Sequence, residues 1–129
     1  MPDRFPLKPN STIGILGGGQ LGRMLASAAA RMGYRTIVLE PQVDCPAAQV
    51  SNRQIVAPYD DEPALAELAS QCEVITYEFE NIPTGALDLL ETVKPIRPNR
   101  EALRVSQDRL TEKTYLTDLG LLTAPYADI

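Results

Sequence analysis

At 129 residues the chain has room for one domain and little more. Hydrophobic residues at 44% and charged residues at 22% exclude a disordered chain. A net charge of -5, from 12 basic and 17 acidic residues, argues against a nucleic-acid binder, which needs a basic face to displace counterions from phosphates.

With no histidine, acid/base chemistry built on that residue is impossible here, and a zinc site would need an unusual ligand set. Cys45 and Cys72 stand far apart outside any CxxC pattern and read as packing thiols of a reducing compartment. Residues 1–11 carry three prolines and no apolar core. That segment is expected to be a lead into the first strand, not a signal peptide or a membrane span, and the expected compartment is the cytoplasm.

Residues 12–16 (TIGIL) form a β-branched, apolar run that stops at Gly17-Gly18-Gly19. From Gln20 the period becomes helical, with Leu21, Met24, Leu25, Ala28 and Met32 in step and Gly33 as the stop. A second strand is predicted at 36–39 (TIVL), completing a β-α-β unit long enough for a right-handed parallel crossover. A loop follows at 41–49 and a weak strand at 54–57. Asp60-Asp61-Glu62-Pro63 opens a helix carrying Leu65, Leu68 and Ala69, its acids complementing the helix dipole.

The next strand is predicted at 74–77 (VITY), then a helix opened by Pro83-Thr84 with Ala86, Leu90 and Val93 on one face. Residues 94–96 offer a short fifth strand, and two short helices are predicted at 99–106 and 110–119. Strands and helices alternating at this rhythm predict a Rossmann-like, doubly wound, mostly parallel α/β sheet over residues 12–98. Residues 99–129 read as linker helices and the opening of a further domain that is cut short.

Two features carry chemistry. Residues 17–22 (GGGQLG) satisfy GxGxxG between a strand and a helix, where unpaired amides and the helix dipole favour an anion. With Glu40 at the end of the second strand, this is also the fingerprint of an NAD(P)-binding domain. The second feature is Tyr77-Glu78-Phe79-Glu80 at the carboxyl end of a strand. Alternation is expected to point Glu78 and Glu80 to one side, where they would oppose a pyrophosphate by ~2–4 kcal/mol but accept from sugar hydroxyls.

The segments GGGQLGRM (17–24), DCPAAQV (44–50), YEFENIP (77–83), RPNREAL (97–103), QDRLTEK (107–113) and LGLLTAPY (119–126) resemble, in order, the N-terminal part of the 5-(carboxyamino)imidazole ribonucleotide synthase family of ATP-grasp ligases. The resemblance implies a pre-ATP-grasp domain, truncated before the ATP-grasp domain. It also implies a reaction in which ATP with magnesium activates bicarbonate and the amine of 5-aminoimidazole ribonucleotide takes up the carboxyl group. Carried onto this sequence, it implies that Gly18, Gly19, Gln20 and Leu21 border the ribonucleotide, that Glu78 meets its hydroxyls, and that Arg109 touches ATP. Arg23 is a candidate for the substrate phosphate, and a homodimer is implied for the full-length enzyme. No catalytic or metal-ligating residue is expected within this chain.

Three other readings compete. A dinucleotide-binding oxidoreductase domain would use the loop and Glu40. A formate-using glycinamide ribonucleotide ligase is disfavoured by Gln20 and by residues 107–113. A non-catalytic docking module would leave the ordered motifs unexplained.

Overall fold

The computed structural model describes residues 5–128; residues 1–4 of the expected lead, and Ile129, lie outside the described residues. In chain order the elements are β1 (Thr12–Leu16), α1 (Gln20–Arg31), β2 (Arg35–Leu39), β3 (Arg53–Ile55), α2 (Glu62–Gln71), β4 (Val74–Tyr77), α3 (Thr84–Glu91), α4 (Arg100–Ser106) and α5 (Arg109–Asp118). A 3-10 turn at Ala48–Val50 interrupts the expected 41–49 loop.

All strand pairings are parallel, in the order β3-β2-β1-β4. The chain steps outward from β1 through β2 to β3. It then returns through α2 to place β4 on the other side of β1, so the winding reverses between β1 and β4. That reversal opens a crevice at the carboxyl ends of the two strands, where sheets of this kind bind ligands.

The expected fifth strand is reduced to one parallel bridge between Ile75 and Ile96. Pro95 and Pro98 flank Ile96 closely and have no N–H to extend a ladder, so pairing stops after the Ile75 N–H to Pro95 and Arg97 N–H to Ile75 bonds, both 3.0 Å. The weak strand falls at Arg53–Ile55, ending sooner than expected. Beyond Ile55, whose carbonyl accepts from the Glu40 amide at 3.1 Å, Val56 turns half out to solvent.

The sheet separates two apolar layers. Leu16, Ile37, Leu39 and Ile75 face α2, α3 and α4, where they meet the fully buried Leu65, Leu68, Leu87, Leu90 and Leu103. Ile15 and Val38 face α1 and meet Ala26, Cys45 and Ala47. The apolar stripe read from the sequence of α1 is not its buried face. Gly22, Ala26 and Ala29 are buried, while Leu21, Met24, Leu25 and Met32 are 42–70% exposed. At 3.6 residues per turn the two sets lie roughly a quarter-turn apart.

Helix starts show a related contrast. Asp61, Asn99 and Asp108 each cap the helix that follows, accepting from the amides of Ala64, Ala102 and Thr111 at 2.9, 3.0 and 2.7 Å. The Thr111 amide holds the Asp108 carboxyl below its ordinary range. At α1 the cap position is Gly19, which has no side chain to offer. Its cap comes from 59 residues away in the chain.

Candidate functional site

Register builds the site. Leu16 of β1 pairs with Leu39 of β2 on one side and with Tyr77 of β4 on the other. The next residue of each strand therefore stands at the sheet's carboxyl edge: Glu40, Gly17 and Glu78 side by side. The row is held by the Gly17 amide donating to the Leu39 carbonyl and the Glu78 amide to the Leu16 carbonyl, both at 3.1 Å. A parallel sheet thus sets one carboxylate on each flank of the glycine loop.

Glu78 turns into the loop. Its Oε1 accepts from the Gly19 amide at 2.8 Å and its Oε2 from the Gly22 amide at 2.6 Å. One carboxylate serves the cap and third-residue amides of α1, two donors that a capping box satisfies with two side chains. Sterics explain the glycines. Gly17 turns the chain at φ 104°, and a β-carbon there would collide with Glu78 Cγ. At Gly22 a β-carbon would lie 2.9 Å from the Gly17 carbonyl oxygen. The expectation that these amides stand open to a ligand phosphate is therefore corrected: Glu78 holds Gly19 and Gly22. The strand ends at Tyr77, so alternation does not carry on to Glu80, which lies exposed in the following turn.

Glu40 is also engaged. Tyr59 donates its hydroxyl to Oε1 at 2.7 Å, and the Gln42 amide donates to Oε2 at 2.8 Å. Burial, then the Glu40 hydrogen bond, pushes the Tyr59 phenol well above its ordinary value, keeping it a donor. The carboxylate that a dinucleotide reading assigns to a ribose thus holds two donors of its own chain, as Glu78 does. Gly18 sits against Glu40 Cγ and Cys45 Sγ, leaving no room for a side chain.

Arg23, expected near the substrate phosphate, has partners within the chain. Its guanidinium donates to Gln49 Oε1 at 2.7 Å and to the Pro46 carbonyl at 3.4 Å, so it fastens the 46–49 loop and does not line the hollow beside Glu78. That hollow, about 390 Å3, is walled by Leu21, Met24, Leu25, Ala28 and Tyr77, with Glu78 at its polar end. Gln20 is exposed at the start of α1. The structure therefore gathers Gly18, Gly19, Leu21 and Glu78 at one edge and sends Arg23 elsewhere.

Arg109 opens α5 and pairs with Glu112 at 2.7 Å. It lines a separate hollow of about 280 Å3 with Leu110, Lys113, Tyr126, Ala127 and Asp128, which shares no residue with the first. Lys113 stands over the Tyr126 ring, 5.2 Å from its centre. Among the described residues no group of three or more Asp, Glu or Cys side chains is placed to hold a metal ion, and no helix is long and apolar enough to cross a membrane.

Sequence reasoning missed Tyr59 and the Gly22 amide as parts of this edge. Tyr59 follows the third strand with no motif around it, and only the sheet brings it to Glu40. The Gly22 amide was legible as a helix-start donor, but its acceptor is 56 residues away.

The family model of the ribonucleotide synthetase preATP-grasp domain matches residues 10–107. Over 124 residues the chain is 64% identical to N5-carboxyaminoimidazole ribonucleotide synthase of Brucella melitensis, covering 96% of this chain and 34% of that protein. Among solved structures, N5-carboxyaminoimidazole synthetase of Staphylococcus aureus complexed with ADP superposes with a TM-score of 0.83 at 51% identity, covering 88% of this chain and 31% of the other. The Aspergillus clavatus N5-carboxyaminoimidazole synthase, solved with ADP and 5-aminoimidazole ribonucleotide, gives a TM-score of 0.81 at 33% identity, covering 90% and 31%. The chain spans about a third of the length of these relatives. By the extent of the family match, over a glycine loop and strand order built as described, the chain belongs to the ribonucleotide synthetase preATP-grasp domain family.

Proposed function

We propose that this chain is the substrate-side, N-terminal part of an ATP-dependent ligase that carboxylates 5-aminoimidazole ribonucleotide with bicarbonate in purine biosynthesis. The observation that carries the reading is the placement of Glu78. A carboxylate offers about four acceptor positions, and the Gly19 and Gly22 amides use two. The remaining lone pairs are free to accept from sugar hydroxyls, while Leu21, Met24 and Leu25 offer an apolar wall to the sugar or base. Gly18, Gly19 and Gln20 border the ligand through the shape of the loop. Arg23 is assigned to anchoring the 46–49 loop.

In this reading residues 12–98 form the substrate-side domain, and residues 99–129 lead into the ATP-binding part. ATP, when bound, supplies the phosphoryl group that makes bicarbonate a usable electrophile. Arg109 is assigned to contact with ATP, and magnesium to residues beyond this chain. The full-length enzyme is placed in the cytoplasm as a homodimer.

The test is ADP release by the full-length protein, dependent on both bicarbonate and 5-aminoimidazole ribonucleotide. Glu78→Gln is expected to raise the KM for the ribonucleotide about tenfold or more, the scale of one charge-assisted hydrogen bond. The 129-residue chain alone is expected to be inactive. Saturable NAD binding with no response to the ribonucleotide would reverse the reading in favour of a dinucleotide domain.

A further inference from the structure

We propose that Glu78 determines the specificity of the glycine loop by acting as a built-in anion: it occupies the place a ligand phosphate takes in loops of this sequence pattern and so excludes phosphate from the helix N-terminus. Three features support this. The carboxylate bridges the Gly19 and Gly22 amides at 2.8 and 2.6 Å, a two-point contact that a phosphate would have to displace.

The space left by the missing side chains is also taken by this residue. At Gly17 it is filled by Glu78 Cγ, and at Gly19 a β-carbon would lie 2.9 Å from Glu78 Oε1. The glycines are open to an internal carboxylate, as they would otherwise be to a ligand. Finally, Glu40 stands at the same sheet edge on the other flank, fixed by Tyr59 and the Gln42 amide. An arriving phosphate meets one carboxylate on the amides and a second beside them.

The proposal deepens the assignment of Glu78 as a hydroxyl acceptor, but its test needs no sugar ligand. The probe is inorganic phosphate, titrated into the 129-residue chain while the amide resonances of Gly19 and Gly22 are followed by NMR. The native chain is expected to show no saturable shift at those amides up to tens of millimolar. In Glu78→Ala the same two amides are expected to respond saturably, with binding at least about tenfold tighter than in the native chain.

Glu80→Gln separates plugging from general repulsion. It removes a nearby exposed charge and leaves the loop closed, so it should behave as the native chain does. If Glu78→Ala does not fold, Glu78→Gln keeps the side-chain size, loses the charge and should show a smaller gain. Saturable phosphate shifts at Gly19 and Gly22 in the native chain would overturn the proposal. A folded Glu78 variant with no gain, or an equal gain in Glu80→Gln, would do the same. Loss of ribonucleotide binding without a phosphate gain would spare the functional reading and reject this one.

Discussion

The two faces of the sheet are filled in different ways. On the face of α2, α3 and α4 the core is made of large side chains, among them Leu65, Leu68, Leu87, Leu90 and Leu103, all 1% exposed or less. On the α1 face the helix contributes Gly22, Ala26 and Ala29, and its large apolar residues stand in solvent. One face is packed for bulk and the other for closeness. The reason lies at the carboxyl edge: α1 must come near enough to β1 and β4 for its first amides to reach Glu78, and a layer of leucines would hold it off.

The comparison can be broken most directly on the bulky face. Leu87→Ala removes a fully buried side chain from the centre of that core and is expected to cost ~2–5 kcal/mol in urea denaturation. On the close face the sensitive change is an addition. Gly22→Ala places a methyl group 2.9 Å from a backbone oxygen and 3.1 Å from Glu78 Oε2. It is expected to cost ~1–3 kcal/mol and to weaken hydrogen-exchange protection of the Gly19 and Gly22 amides. A Gly22→Ala chain as stable as the native one, with both amides protected, would refute the argument from closeness.

A third prediction concerns the thiol under the bulky layer. Burial, with Glu73 adding to it, pushes Cys72 from 9.0 up to about 12. The native state thus holds a proton that the unfolded chain releases first, so stability should fall as pH rises from 9 to 12. The stability gap between the native chain and Cys72→Ala should narrow across that window, measured by denaturant melts at each pH. Iodoacetamide at pH 8 should label Cys72 slowly until the chain is unfolded. Smallest of all, Met24→Ser and Met32→Ser, 66% and 70% exposed, should each change stability by no more than ~0.5 kcal/mol. A loss comparable to that of Leu87→Ala would place the sequence-read stripe of α1 in the core after all.

The C-terminal helices follow the same division. Leu103 and Val105 of α4 are buried, whereas α5 buries none of its residues and is held at its start by the Asp108 cap and the Arg109–Glu112 pair. Both helices were legible as short periodic segments, the second of them ending at Gly120. Which one joined the core was not, since an exposed amphipathic helix and a packed one read alike over seven to ten residues.

Taken alone, the sequence determined the order of elements and the crossover at the glycine loop. Local chemistry sets these: β-branched runs, three glycines that end a strand, and acids or asparagine that start helices. It also placed a carboxylate at the end of β4. What the tertiary structure decided were the partners. Glu78 faces the Gly19 and Gly22 amides because β4 pairs beside β1 in register, and Arg23 faces Gln49 because the 46–49 loop folds over α1. The buried face of α1 was set by the same constraint, since the sheet needed its small residues near and left the large ones outside. Hydrophobic periodicity records which residues could be buried; which of them are buried depends on how closely neighbouring elements must approach.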